Sequence, residues 1–285
     1  MSEHATIPDP ARLVTVREPA RGRLCLDLAE VWRYRELLGL MIWRNTVVKY
    51  KQSVLGLGWA LVRPVVTMVV FTVIFGRMAK LDSDGVPYPI FAFVALLPWT
   101  YFAGALAGTS GSLVGGSGLL HKVYFPRLVL PLATVCTGLV DFALSFLILA
   151  GMMIWYHDAI QVGWGIVLLP FFLLMAMASA LAFGLWLSGL MVRYRDVQQL
   201  VPFLVQTWMF LTPVVYSSAE VAEPWRVVYY LNPMAGVVDG FRWALLGTPA
   251  PDGLSLAVSL SVVALVLVSG LYFFRKTERT VADII

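Results

Sequence analysis

Charged residues are scarce in this chain of 285 residues. They account for 13% of it, against 59% hydrophobic residues and a mean hydropathy of +0.79, whereas a soluble domain carries roughly a quarter charged residues. This composition excludes an ordinary soluble domain and predicts an integral membrane protein. The formal net charge of +4 does not indicate nucleic-acid binding, because the positive residues gather at the ends of apolar segments and form no separate basic patch.

Residue types that build disulfides, metal sites and catalytic sites are equally rare. Cys25 lies in the polar N-terminal region and Cys136 in an apolar run, so no disulfide framework is implied. The histidines His4, His121 and His157 are scattered over polar segments, with no pair of acidic residues at ligand spacing. The sequence therefore predicts no metal site, no bound cofactor and no catalytic residues.

A nucleotide-binding P-loop is also missing. The glycine-rich stretch from Gly111 to Gly118 resembles one superficially, but a P-loop needs Lys followed by Ser or Thr directly after its last glycine to reach the phosphates. Leu119 follows instead, and the pattern GxxxxGK[ST] occurs nowhere in the chain. We therefore expect no ATP site in this chain.

Two further patterns are absent. Residues 1–30 are polar and punctuated by proline, unlike a cleaved signal peptide, so we expect an irregular cytoplasmic tail and insertion directed by the later apolar segments. No internal repeat is evident, which argues against the many secondary transporters that are built from repeated halves.

What the sequence does contain begins with a basic and aromatic stretch over residues 31–51. This mixture is typical of a helix lying in the lipid headgroup layer, and we predict an amphipathic interfacial helix there. The residues on its apolar face are Tyr34, Leu37, Leu38, Met41 and Val48.

Long apolar segments follow, separated by short polar breaks. Each approaches or exceeds the ~20 residues needed to cross a bilayer. The predicted fold class is therefore an all-α integral membrane protein with six transmembrane helices. The spans cover about residues 59–76, 89–108, 128–156, 164–192, 200–216 and 254–274.

The distribution of Lys and Arg predicts the orientation. Six spans place both termini on one side, and Arg77, Lys80, Arg226 and Arg242 then fall outside, with all other basic residues inside or at the inner boundary. This is the positive-inside asymmetry, so both termini are expected in the cytoplasm.

Residues 217–252 mix charged and aromatic residues. The segment is too polar to span a bilayer and too apolar for a free loop, so we predict short re-entrant helices on the outer side, allowed where protein covers the backbone. An ordinary structured extracytoplasmic loop is the alternative.

Two charged residues lie inside predicted spans. Asp141 near the middle of the third span is either part of a translocation route or a carboxyl hydrogen-bonded to a neighbouring helix, and we expect no second charge beside it. Arg63 lies about one turn from the inner boundary, where its side chain either reaches the headgroups or meets an anionic head group entering from the cytoplasm.

Aromatic side chains are numerous, and sugar rings stack well on their faces. A sugar-lined conduit is one interpretation, and interface belts with helix packing are the other. The conduit candidates, with Arg63, are Trp59, Phe71, Trp99, Tyr101, Trp208, Phe210 and Tyr216.

A basic and aromatic loop follows the second span. It is either an aromatic knob that docks into a soluble partner or a membrane-edge turn. Its residues are His121, Lys122, Val123, Tyr124, Phe125, Pro126 and Arg127.

Four motifs in this order resemble the membrane subunit of type 2 ABC exporters for polysaccharide, O-antigen or teichoic acid. They are KYKQSVLGLGWALVRP, KVYFPR, RYRD and LNPMAGVVDGFRWALLG, and the likeness covers the chain after about residue 31.

The resemblance implies a homodimer of six-span subunits, paired with two copies of a separate ATPase subunit that binds ATP and Mg. The complex would export a glycan linked to a lipid diphosphate. It also implies that His121–Arg127, with Arg193, Arg195 and Asp196, couple to the ATPase. Asn232, Pro233 and Arg242 would lie in re-entrant helices that close the outer end.

Two rival functions remain. An exporter of small hydrophobic compounds would share the architecture. A membrane glycosyltransferase or acyltransferase would also handle lipid-linked sugars, but it should show paired carboxylates or a histidine-based site at a membrane boundary.

Overall fold

The computed structural model describes residues 28–51, 56, 58–120 and 125–284. All regular secondary structure within these ranges is helical, which confirms the predicted all-α class. Of the predicted tail, residues 1–27 lie outside the described residues, and the last three residues already belong to the first helix.

Twelve α-helices are described. A π-helix, Thr72–Met78, extends α3, and a 3₁₀ turn, Trp164–Leu168, precedes α8. The α-helices are α1 (Leu28–Arg33), α2 (Arg35–Lys51), α3 (Gly58–Phe71), α4 (Tyr88–Ser110), α5 (Ser112–Gly115), α6 (Ser117–Leu120), α7 (Val129–Trp155), α8 (Leu169–Arg193), α9 (Val197–Phe210), α10 (Glu223–Tyr229), α11 (Pro233–Leu246) and α12 (Gly253–Ile284).

Five helical segments are long and apolar enough to cross a membrane. They match five of the six predicted spans and are Gly58–Met78, Tyr88–Ser110, Val129–Trp155, Trp164–Arg193 and Gly253–Glu278.

The remaining predicted span, over residues 200–216, differs. Here α9 has 14 residues and ends at Phe210, which gives a length of about 21 Å. Residues 211–216 form turns instead. Pro213 has no N–H for a helical hydrogen bond, and it disfavours helical geometry at Thr212.

The helix α4 forms the centre of the bundle. It is apolar around its whole circumference, as expected for a helix surrounded by protein, and it packs against α3, α7, α8, α9 and α11. Small residues allow the closest approach: a methyl group built on Gly184 of α8 would lie 2.5 Å from the Thr109 side chain. Close helix contact through small residues is typical of membrane bundles.

A second apolar cluster lies at one end of the bundle, where the chain passes from α4 to α7. Met41 of α2 packs there with Phe125, Val129 and Phe274. Tyr34, Leu37 and Leu38 also pack against this cluster, as the predicted apolar face requires. Val48 does not, because it is 69% exposed. The first half of α2 is therefore bound to the bundle, and the side chains near its C-terminus face an open space.

Candidate functional site

A cavity of about 1220 Å³ lies between α2, α3, α4 and α7. Along α7 it extends from Leu130 to Ser145, a distance of about 22 Å. Near Leu130 it adjoins the second apolar cluster, and at the other end it reaches Leu96 and Trp99 on α4. The cavity is thus long enough to hold an extended ligand over most of the depth of a bilayer leaflet.

Four of the eight conduit candidates line this cavity. Trp59 is 45% exposed, and the Arg63 guanidinium lies 5.9 Å from the centre of its ring. Trp99 and Tyr101 are both only 3% exposed, and the Tyr101 hydroxyl donates to the Val135 carbonyl oxygen at 3.1 Å. Of these four residues, Trp59 and Arg63 are therefore the ones with side chains accessible from the open space.

The other four candidates lie elsewhere among the helices, outside the residues that line the cavity. Phe71 is buried against Phe75, with ring centres 5.5 Å apart. Phe210 is 53% exposed at the end of α9. Trp208 and Tyr216 take part in hydrogen bonds around the non-helical turn after α9.

Glycines form one wall of the cavity. Gly104 and Gly108 of α4, Gly111 between the helices and Gly115 of α5 line it. Their spacing of four, three and four residues places them on one helical face. A methyl group built on Gly104 or Gly115 would meet no atom within 4 Å. The wall is therefore smooth, and larger side chains would project into the cavity.

An ion pair crosses this cavity. The Lys49 ammonium group on α2 donates to Oδ2 of Asp141 on α7. This corrects our expectation that Asp141 has no second charge beside it. The sequence offered no local signal for the pair, because 92 residues separate the two.

Only one oxygen of the Asp141 carboxyl takes part in that pair. The buried Oδ1 has no hydrogen-bond partner among the described residues. The carboxyl is therefore held by a single contact to Lys49.

The non-helical turn after α9, residues 211–216, is stabilised by side chains from other elements. We call these side chains together the cap of this turn. The Tyr88 hydroxyl donates to the Val215 carbonyl oxygen at 2.8 Å. Asn232, the N-cap of α11, donates through Nδ2 to the Leu211 carbonyl oxygen at 3.0 Å, and its Oδ1 accepts from the Met234 N–H at 3.1 Å. Non-helical backbone at membrane depth needs such partners, because lipid supplies none.

Arg242 also contributes to this cap. It is 2% exposed, and its Nη1 and Nη2 donate to the carbonyl oxygens of Tyr216 and Val214, each at 3.0 Å. The guanidinium carbon lies 3.6 Å from the centre of the Phe91 ring. A planar fork of donors suits two carbonyl groups at once better than an ammonium group would.

A buried carboxyl accompanies Arg242 on α11. Burial raises the pKa of Asp239, although the hydrogen bond from the Tyr230 hydroxyl, at 2.5 Å, opposes this shift. Burial lowers the pKa of Arg242 to about 10, partly offset by Asp239 and Asp84. Arg242 therefore remains charged near neutral pH and holds the turn as a cation.

The proposed ATPase-coupling loop is described only from Phe125 onward, and His121–Tyr124 lie outside the described residues. Phe125 is 4% exposed and packs in the second apolar cluster, so it anchors the loop rather than projecting as a knob. Pro126 begins the turn that leads into α7. Arg127 donates to the Glu278 carbonyl oxygen and lies 3.9 Å from its carboxylate, which ties the loop to the last turns of α12.

The second set of coupling candidates forms an exposed turn. Arg193 ends α8, Arg195 follows it, and Asp196 precedes α9; all three are exposed. The polar break predicted from the sequence is therefore a surface connection between two helices.

One family match and three relatives connect these features to known proteins. The family model described as ABC-2 type transporter matches residues 36–246. The O-antigen export system permease protein RfbA of Myxococcus xanthus is 30% identical over 253 residues, covering 87% of this chain and 96% of that protein. RfbA of Klebsiella pneumoniae is 23% identical over 253 residues, covering 88% and 95%. Polysialic acid transport protein KpsM of Escherichia coli is 21% identical over 245 residues, covering 83% and 91%.

The family match begins near the start of α2 and ends with the last residue of α11. It thus includes every element that forms the cavity, the cap over the turn after α9 and the described part of the loop before α7. Together with the likeness to the Myxococcus xanthus protein over 87% of this chain, this match identifies the chain as a multi-pass membrane protein that belongs to the ABC-2 type transporter family.

Proposed function

We propose that this chain is the permease subunit of an ATP-driven exporter that moves a lipid-diphosphate-linked polysaccharide, similar to O-antigen, from the cytoplasmic to the outer side of the inner membrane. The cavity between α2, α3, α4 and α7 carries this proposal. Its wall combines an exposed indole, a smooth row of glycines and exposed cations. These surfaces suit sugar rings and an anionic lipid head group. The names of the three relatives favour the same class of cargo.

The power source would be a separate subunit. The chain carries no P-loop sequence, so ATP and Mg would bind two copies of an ATPase that contact two copies of this chain from the cytoplasm. The loop 121–127 and the turn of Arg193, Arg195 and Asp196 are the proposed contacts. Both termini would then lie in the cytoplasm.

Movement of the loop 121–127 is the proposed lever. ATP binding by the partner would push on the loop, and Phe125 and Arg127 would pass that displacement to the second apolar cluster and to α12. Such coupling requires a contact that differs between two states. The outer end of the conduit would stay closed until this displacement reaches the residues that close it, Asn232, Pro233 and Arg242.

A depletion strain tests the proposed cargo. Loss of the chain should cause lipid-linked glycan to accumulate on the inner leaflet, and a plasmid copy should restore export. Normal surface glycan in the depleted strain would overturn the proposal. Increased sensitivity to hydrophobic compounds without glycan accumulation would instead favour the rival exporter of small molecules.

A purification tests the proposed partner. The tagged chain, extracted gently from its native membrane, should bring a P-loop ATPase with it in equal stoichiometry. A folded dimer without an ATPase would contradict the subunit arrangement and favour a self-contained transporter or transferase.

A further inference from the structure

The cavity carries an excess of positive charge. Among the described residues that line it, the cations are Arg44, Lys49 and Arg63, and the only carboxylate is Asp141. Within the described part of the chain, no other carboxylate lies within ion-pair distance of these three cations. A partly enclosed cleft with a surplus of one charge concentrates ions of the opposite sign.

Arg63 is the most informative of these cations. It lies on α3, a membrane-spanning segment, where an ionised side chain is costly unless it meets a counter-charge, a headgroup or a ligand. Its guanidinium is exposed to the cavity and borders the ring of Trp59. A guanidinium forms two parallel hydrogen bonds with a phosphate group, so this position is chemically suited to a phosphate.

Lys49 brings a second donor into the same cavity from α2. An ammonium group has three donors, and one of them is directed at Oδ2 of Asp141. Asp141 thereby holds Lys49 over the cavity from the opposite helix. The side chain of Lys49 is half exposed, so its remaining donors are accessible to a ligand.

We propose that Arg63 and Lys49, supported by Arg44, form a binding subsite for the diphosphate of a lipid-linked substrate. Asp141 is the resident counter-ion, and it yields Lys49 to the phosphate when the substrate enters. This inference rests on the proposed function, because it assumes that a lipid diphosphate enters this cavity. The phosphate of an ordinary bilayer phospholipid shares the same chemistry, and the test separates the two sources.

The change in binding caused by Asp141→Asn distinguishes this proposal from a structural role of Asp141. If the carboxylate competes with phosphate for Lys49 and also repels it, Asp141→Asn should strengthen binding. If Asp141 only supports the packing of α2 on α7, the same substitution should weaken binding or leave it unchanged. A purely structural role therefore predicts no strengthening of binding.

The experiment measures binding of radiolabelled farnesyl diphosphate to the full-length chain, purified with its ATPase partner. Arg63→Gln and Lys49→Gln should each weaken binding by about tenfold, because each removes a charge-assisted contact to phosphate. Asp141→Asn should strengthen it severalfold. Lys51→Gln is the matched control: it removes the same charge two residues further along α2, from an exposed position outside the cavity lining, and should change nothing.

Several results would overturn the inference. Equal weakening by Lys51→Gln would indicate attraction to general surface charge. Unchanged binding in Arg63→Gln would refute the subsite. This substitution breaks no ion pair among the described residues, so it provides a test even if the Asp141 variant fails to fold. Two competition results would overturn the assignment to a lipid diphosphate. One is displacement of the probe by phosphatidylglycerol as effectively as by unlabelled farnesyl diphosphate, and the other is displacement by farnesol.

Glycan export by the same variants distinguishes this inference from the proposed function. Normal export and unchanged probe binding in Arg63→Gln would refute the subsite and leave the exporter intact. Charge-dependent binding of the probe by a wild-type chain that supports no glycan export would retain the subsite and refute the proposed function.

Discussion

The Trp208 indole N–H donates to Oδ1 of Asn232 at 2.9 Å, so the last turn of α9 is fixed to the N-terminus of α11. The same amide also donates to the Thr212 hydroxyl at 2.9 Å. One side chain thus caps a helix and closes the turn where the predicted fifth span leaves its helical path. This arrangement makes the cap testable one group at a time.

Asn232→Ala should lower stability by about 2 kcal/mol or more, since it removes an N-cap and leaves a partly buried indole N–H unpaired. Thermal unfolding of the detergent-solubilised chain measures this loss. Trp208→Phe keeps an aromatic ring but removes the N–H, so it should reproduce only part of the effect. Equal stability of Asn232→Ala and wild type would contradict a structural role for the cap.

Arg242→Met should be more damaging than Arg242→Lys. Methionine leaves the carbonyl oxygens of Val214 and Tyr216 without donors, and we expect a loss of about 3 kcal/mol or more. Lysine retains the charge but lacks the fork that serves both carbonyl groups. Folded yield after membrane extraction measures the order, and a fully stable methionine variant would contradict the cap.

Gly104→Leu should block export while preserving the fold. The new side chain finds no atom within 4 Å of its first carbon and extends into the cavity. Gly151→Leu is the matched control, because Gly151 also lies in a helix with open space around it and does not line the cavity. Surface glycan is the measurement for both, and normal export by Gly104→Leu would exclude the cavity as the route.

Phe125→Ala should uncouple ATP hydrolysis from export. Phe125 anchors the proposed coupling loop in the second apolar cluster, so its loss should loosen the loop while the complex still assembles. Leu113→Ala removes a side chain from the same cluster but outside the loop. If the two variants lose export equally at equal ATPase activity, the effect reflects cluster packing and the loop is not the lever.

The sequence predicted the long helices well, because an apolar run of more than twenty residues has few alternatives in a bilayer. The sequence was a less accurate guide where a single residue decides the backbone conformation. The predicted span over residues 200–216 contains Pro213, but the sequence did not show that the helix ends at Phe210 and that Arg242 holds the turn that follows.

Side-chain partners were the least predictable feature. The pairing of Lys49 with Asp141 depends on how α2 packs against α7, and no local pattern encodes a contact between residues that far apart. The burial of Phe125 depends likewise on Met41 and Phe274 from distant helices. The sequence left two interpretations open for the aromatic candidates, a sugar-lined conduit or interface belts with helix packing, and only the fold shows which rings line the cavity.

ATP-dependent transport into inverted membrane vesicles tests the central proposal most directly. Vesicles that contain this chain and its ATPase, supplied with lipid-linked glycan on their outer face, should move the glycan to the lumen and protect it from an added glycosidase when ATP is present. Protection should disappear without ATP and with Gly104→Leu. Glycan that stays fully accessible despite an assembled, ATP-hydrolysing complex would contradict the proposed export function.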